Sequence, residues 1–329
     1  MLNNWLSSVS DDKVSSYFSE SYFSNKNFPN LEQVRIVLFG SENEFTDLIR
    51  LKLNHLFNHF QTSFVDIGTL NSTSSSSMYQ VISELQDGFI LPVLIGVDQT
   101  KFQEFCKAMQ LEKKLDVAAH ISNSALLSKE EYRIENIGFQ RHLLPKHVFD
   151  ELSDSTSPGL SLGTMRSFPK IIEPILREVN YFHFDLAALR RSDCPAKKNA
   201  FPTGLYAEEA CQLMRYIGEG MRLKLITFDT SDLDSTCDIE ASLMAELIWY
   251  LHEGMEYKSQ EHPALSDDFK EFIIEMNEID HSLVFKQSNK TGKWWLQNEK
   301  SSNKYISCAY EEYEQSINNE LPDRLLKLL

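Results

Sequence analysis

The stretch YFHFDLAALRRSDCPA, residues 181–196, starts as a continuous apolar strand and runs out into a polar loop, with a single acid, Asp185, at the strand's carboxyl end. Strands without a polar face belong to parallel sheets covered by helices on both sides. The carboxyl ends of such strands are where α/β folds keep their chemistry. His183 and Ala187, each two residues from Asp185, share its side of the strand.

Working outward, short apolar or β-branched runs alternate with helical periodicity. VRIVLFG (34–40), TSFVDIG (62–68), FILPVLIG (89–96), KKLDVAAHI (113–121), YRIENIGFQ (132–140) and MRLKLITFD (221–229) read as strands. Between them, EFTDLIRLKLNHLFNHF (44–60) places Phe45, Leu48, Ile49, Leu53, Leu56 and Phe57 on one helical stripe. The serine-rich 71–77 supplies a cap for a helix that stops at Gly88. Residues 100–110, 168–179, 207–220 and 238–257 complete the helices. This alternation predicts an α/β fold of three layers, α/β/α, around a mainly parallel, doubly wound sheet. Residues 34–285 form that domain, preceded by a helix-and-loop extension over 1–33. Residues 286–329 follow as a tail whose short helices pack on the domain.

The chain carries 48 acidic and 32 basic residues, a formal charge of −16, with no long basic run. That field repels nucleic acid and anionic membranes. The amino terminus lacks a secretory signal pattern and no window has the length of a membrane helix, so a cytoplasmic protein is expected. The five cysteines show no CxxC spacing and read as reduced packing residues. The serine-rich loop lacks the glycines and lysine of a P-loop, and no GxSxG elbow is present.

Polar residues gather at four strand ends: Asp98 and Gln99; His120 and Ser122; His183 and Asp185; and Asp229, followed by Asp232 and Asp234. In order, spacing and flanking residues these stretches resemble the ureohydrolase family of arginase, agmatinase and formimidoylglutamase, most nearly a divergent formimidoylglutamase-like member. The resemblance covers roughly residues 34–285, and the family's motifs are GGDHS, DAHxD and SxDxDxxDP, followed by a strand ending in a substrate-gripping glutamate. It implies the arginase-like fold, a pair of manganese ions, hydrolysis of formimino or guanidino C–N bonds, and a possible homo-oligomer.

Carried over position by position, GGDHS falls on 96–100, so a metal-binding histidine becomes Gln99. DAHxD falls on 118–122, retaining His120 and replacing two carboxylates with Ala118 and Ser122. SxDxDxxDP falls on 183–191, retaining Asp185, replacing its partner with Ala187 and ending in Arg190 and Arg191. Asp229 aligns with the glutamate. Two hard divalent ions a few ångströms apart require bridging anions, and alanine has no side-chain donor. The resemblance therefore implies a degenerate metal site with His120 and Asp185 as remnants, and a pseudoenzyme acting through binding, structure or regulation. No cofactor is expected in that reading. The vacated cleft, bordered by Gln99, Ser122, Arg190 and Arg191, would take a small molecule or a protein partner.

The alternative is a C–N hydrolase with an altered site, one divalent Mn or Zn ion on His120, His183 and Asp185. Asp98, His120, Asp185 and Asp229 are its candidate catalytic groups. Against it, the histidines could be hydrogen-bonded partners of Asp185. Asp98, Asp229, Asp232 and Asp234 read either as one acidic cluster that attracts a cation or as helix caps and solvated acids. Trp294 and Trp295 read as an apolar anchor for the tail.

Overall fold

A computed structural model of the chain describes residues 2–18, 22–24, 27–41, 43–110, 116–127, 133–155, 157–234, 237–276, 282–298 and 304–329. Its strands, in chain order, are β1 (Leu6–Ser7), β2 (Ile36–Gly40), β3 (Phe64–Leu70), β4 (Leu91–Ile95), β5 (Val117–Ile121), β6 (Arg133–Phe139), β7 (Leu160–Ser161), β8 (Tyr181–Asp185) and β9 (Leu225–Asp229). They form one sheet in the order β1-β3-β2-β4-β9-β8-β5-β6-β7, parallel except where β1 pairs antiparallel with β3. The amino-terminal extension thus adds a strand to the main sheet. Lys113, Lys114, Leu115 and Tyr132, at the starts of two expected strands, lie outside the described residues.

The layers follow from alternation along each strand. In β2, Ile36 and Leu38 join one core while Val37 and Phe39 join the other. Helices α1 (Asn43–Leu53), α6 (Ile172–Arg177), α7 (Ala207–Gly218) and α8 (Asp238–Glu256) cover the first face, and α2 (Ser75–Asp87) and α3 (Gln99–Gln110) cover the second. Of the remaining helices, α4 spans Lys146–Asp154 and α5 spans Leu162–Ser167. Ser74 caps α2 by accepting from the Ser77 N–H, and Gly88 ends it. No helix among the described residues is long and apolar enough to cross a membrane.

Two expectations change. The stripe read over 44–60 ends as a helix at Leu53, and Phe57 is 77% exposed. Polar contacts draw the chain out of the helix: Asn54 Oδ1 accepts from the Ser16 N–H at 2.6 Å, and the Trp249 indole donates to the Phe57 carbonyl at 2.8 Å. Further on, the division placed at 285 falls inside a strand of a second, four-stranded antiparallel sheet. It comprises β10 (Phe269–Glu275), β11 (Ser282–Ser288), β12 (Trp294–Gln297) and β13 (Tyr305–Cys308), followed by α9 (Tyr310–Ile317) and α10 (Asp323–Leu328). SLVFKQS (282–288) reads as a strand in sequence and is β11, whereas the half-exposed β10 and the four-residue β12 and β13 carry too little periodicity to stand out.

Buried polar groups bind these additions to the domain. The Tyr17 hydroxyl meets His252 Nδ1 at 2.8 Å, and His252 Nε2 meets the Thr62 carbonyl at 2.8 Å. A carbonyl only accepts, so Nε2 carries the proton and Nδ1 accepts from the tyrosine. The Arg177 guanidinium lies 4.3 Å from the centroid of the Trp295 ring and donates to the Trp294 carbonyl at 3.1 Å.

Candidate functional site: a lysine between two aspartates

Parallel pairing in register aligns β5, β8 and β9 so that His120 lies beside His183, His183 beside Thr227, and Asp185 beside Asp229. Period-two alternation then stacks His183 beneath Asp185 and Thr227 beneath Asp229 on one side of the sheet. The sequence-predicted remnants His120 and Asp185 therefore share one sheet edge with His183, Ser122 and Asp229.

What holds the carboxylates is Lys197, a residue the motif comparison passed over. The chain leaving β8 turns back on itself: the Arg190 N–H donates to the Leu205 carbonyl at 3.0 Å, and the Leu205 N–H to the Ala188 carbonyl at 2.8 Å. Gly204 permits this approach, since a Cβ there would come within 2.4 Å of the Arg190 nitrogen. The loop tip is fixed by the Ala196 N–H, which donates to the buried Glu240 Oε1 at 2.6 Å, and by the Asp234 N–H, which donates to the Ala196 carbonyl at 3.0 Å. Lys197, only 2% exposed, is thereby directed inward. Its Nζ lies 3.1 Å from Asp185 Oδ1, 3.3 Å from Asp229 Oδ1 and 2.9 Å from the Ser231 carbonyl oxygen. Three acceptors meet the three donors of an ammonium.

The remaining carboxylate contacts are local. Asp185 Oδ2 accepts from the Ser122 hydroxyl at 2.9 Å and its Oδ1 from the Ala187 N–H at 2.9 Å. Asp229 Oδ1 accepts from the Ser231 N–H at 2.8 Å and hydroxyl at 2.5 Å. Burial alone would discharge Lys197, but the two aspartates outweigh it and raise its pKa. Burial likewise opposes the charge on Asp229, and Lys197 with the Ser231 donors pulls its pKa below the ordinary value. The lysine is therefore a fixed cation and no nucleophile.

Below the triad, the rings of Phe102, His183 and His120 form a column. Phe102 and His183 centroids are 4.6 Å apart at 15°, and His183 and His120 are 5.2 Å apart at 10°. Burial pushes His120 down to about 3, with His183 adding to the effect, and burial pushes His183 down to about 4. Both rings are neutral at pH 7. The Thr227 hydroxyl donates to the Phe182 carbonyl, so at its 2.9 Å contact it accepts from His183 Nδ1–H. His183 Nε2 and both nitrogens of His120 are buried with no hydrogen-bond partner.

Those orphaned nitrogens are ligand-competent, so the fit of a metal can be tested. His120 and His183 stack on each other at 10°, and their free nitrogens meet no carboxylate that would join them around an ion. The carboxylates that would complete a centre already hold an ammonium, and Ala118 and Ala187 offer no donor atoms. Among the described residues, no group of three His, Cys, Asp or Glu side chains is placed to hold a metal ion. In this arrangement the residues present do not fit a manganese pair or a single ion on His120, His183 and Asp185. The histidines are also not hydrogen-bonded to Asp185, which pairs with Lys197 and Ser122.

Other candidates separate from the triad. Asp98 accepts from the Lys101 N–H at 2.9 Å at the start of α3, where Gln99 is the first helical residue. Asp232 accepts from Asn199 Nδ2 at 3.4 Å, and Asp234 pairs with Lys198 at 3.5 Å. These acids each have their own donor and do not act as one cluster. Arg190 pairs with Asp193 at 2.7 Å and lies 4.3 Å from the Tyr206 ring centroid, while Arg191 donates to the Lys198 and Ala200 carbonyls. Both arginines brace the 190–206 loop. The sequence does not single Lys197 out: the loop leaving Asp185 carries four cations, Arg190, Arg191, Lys197 and Lys198, and only the fold shows which of them turns inward.

No protein-family model matches the chain, and no curated protein matches it in sequence. Solved structures do match. A Trypanosoma cruzi formiminoglutamase with Mn²⁺ superposes with a TM-score of 0.61 at 13% identity, over 74% of this chain and 98% of that one. A formimidoylglutamase from Bacillus subtilis gives 0.56 at 12% over 77% and 95%, and an agmatine ureohydrolase of Thermoplasma volcanium 0.53 at 15% over 69% and 92%. The fold is the arginase-like, three-layer ureohydrolase fold.

Proposed function

We propose that this chain is a ureohydrolase-fold protein that works without the dinuclear manganese centre and without hydrolysis, as a binding, structural or regulatory protein. The observation that carries this reading is the position of Lys197, whose ammonium takes up the carboxylates of Asp185 and Asp229. A bridging hydroxide of lowered pKa is held by two metal ions at its oxygen, and an ammonium, which has no vacant orbital, cannot coordinate it as a Lewis acid. His120 and His183, held neutral in a stacked column, serve as packing groups. The partner is a protein or a small molecule reached through the outer loops, and a homo-oligomer is compatible with the account. The charge of −16 disfavours nucleic acid as that partner.

A second reading has one observation in its favour: the solved structures of like fold include a formiminoglutamase bearing Mn²⁺ and an agmatine ureohydrolase. In that reading Lys197 swings out, and His120, His183 and Asp185 take up a divalent ion for hydrolysis of a formimino or guanidino C–N bond, with Asp229 as a further candidate catalytic group. Assays with formiminoglutamate, arginine and agmatine in the presence of Mn²⁺ or Zn²⁺ decide between them. No turnover above the Asp185→Ala background supports the first reading. Metal-dependent turnover lost in Asp185→Ala overturns it.

A further inference from the structure

We infer that the space filled by the Lys197 ammonium is a cation-binding site in its own right, built of oxygen donors and occupied permanently by the chain's own side chain. The inference rests on the metal-free reading of the site and adds what the site would bind if the tether were cut. Its walls are Asp185 Oδ1, Asp229 Oδ1 and the Ser231 carbonyl, all within 3.3 Å of Nζ. Each wall has its own anchor apart from the lysine: Asp185 holds the Ser122 hydroxyl and the Ala187 N–H, and Asp229 holds the Ser231 N–H and hydroxyl.

The loop backbone that delivers the lysine is anchored independently as well. Ala196 N–H donates to Glu240, Lys198 N–H donates to the Asp232 carbonyl at 3.1 Å, and Lys197 itself bridges Leu233 in antiparallel fashion. Shortening the side chain therefore leaves the donors in place around a void with two negative charges. Such a void takes a small cation able to donate three hydrogen bonds, and a primary alkylammonium reproduces the lost group. Neutral molecules of the same size do not compensate the charges.

Thermal melts of Lys197→Ala with excess ethylammonium, against sodium chloride at equal ionic strength and against ethanol, read this directly. The expected result is a midpoint several degrees below the parent chain that rises with ethylammonium alone, while the parent and Lys197→Met, whose side chain fills the void without charge, do not respond. A Lys197→Ala midpoint equal to the parent's, or an ethylammonium response equal in Lys197→Met, overturns the inference. Should Lys197→Ala fail to fold, the triple variant Lys197→Met, Asp185→Asn, Asp229→Asn is compared with Lys197→Met alone. A more stable triple variant supports the inference, and an equal or less stable one refutes it. These melts report on the cavity whether or not the parent chain hydrolyses anything, so the outcome is separable from the turnover assays.

Discussion

Replacing Lys197 with methionine keeps the volume of the side chain and deletes its charge, leaving two carboxylates with no cation between them. Removing one partner from a buried ion pair typically costs about 3–5 kcal/mol. Solvent screening reduces that little here, because the lysine is 2% exposed and its partners 13% and 9%. An unfolding entropy of about 2.1 cal/mol/K per residue gives about 0.7 kcal/mol/K for this chain, so each kcal/mol lowers the midpoint by about 1.4 °C. Lys197→Met should then melt about 4–7 °C below the parent chain when followed by circular dichroism.

The pH dependence carries a further signature. The depressed pKa of Asp229 contributes stability that is complete above its ordinary 3.8 and lost as pH falls below it. The raised pKa of Lys197 contributes stability that is complete below 10.5 and lost as pH rises through the folded value. Between 6.5, below which the histidines begin to titrate and Lys197 itself helps hold His183 down, and 10.5 the gap between parent and variant should stay constant, and it should narrow on the alkaline side. A variant melting within about 1 °C of the parent at neutral pH would mean the triad stabilises nothing, well short of the cost expected for a buried pair.

Other outcomes follow from the same contacts. The neutral histidines refuse protons that the unfolded chain accepts below 6.5, so stability should fall as pH drops from 6.5 towards 4, by up to about 1.4 kcal/mol per pH unit per ring. His120→Leu, which also removes two unpartnered nitrogens, should flatten that limb in urea titrations at stepped pH; an unchanged slope would contradict it. Arg50→Met strands Asp66 beside a lost contact of 2.6 Å and should cost about 3–5 kcal/mol in denaturant unfolding; a change under about 1 kcal/mol would place the pair among weak surface bridges. Trp295→Ala removes the ring against Arg177 and should cost about 3–5 kcal/mol, with earlier proteolysis of the carboxyl-terminal sheet than of the main one; simultaneous cleavage of both would refute that anchoring role.

The main sheet was legible because its strands are buried on both faces and therefore largely apolar, as in residues 91–95 and, apart from Thr227, residues 225–228. The strand ends that meet at the site were legible through His120, Asp185 and Asp229, which the register of β5, β8 and β9 brings together, whereas Asp98 caps the start of α3 instead. The antiparallel sheet was largely missed, since β10 and β12 mix exposed, charged and aromatic positions without a clean period of two. Lys197 was missed for a different reason. Its role depends on a loop folding back against 188–190 and on Glu240, more than forty residues later, fixing the tip. Nothing local to the lysine distinguishes it from Lys198 beside it, which is exposed and pairs with Asp234.

The central claim, as proposed above, is that the Lys197 ammonium neutralises Asp185 and Asp229 and leaves no metal centre there. Elemental analysis by plasma mass spectrometry, on protein produced with supplemental Mn²⁺ and Zn²⁺ and purified without chelators, tests it most directly. The account predicts metal far below one ion per chain. Two manganese ions retained per chain would contradict it.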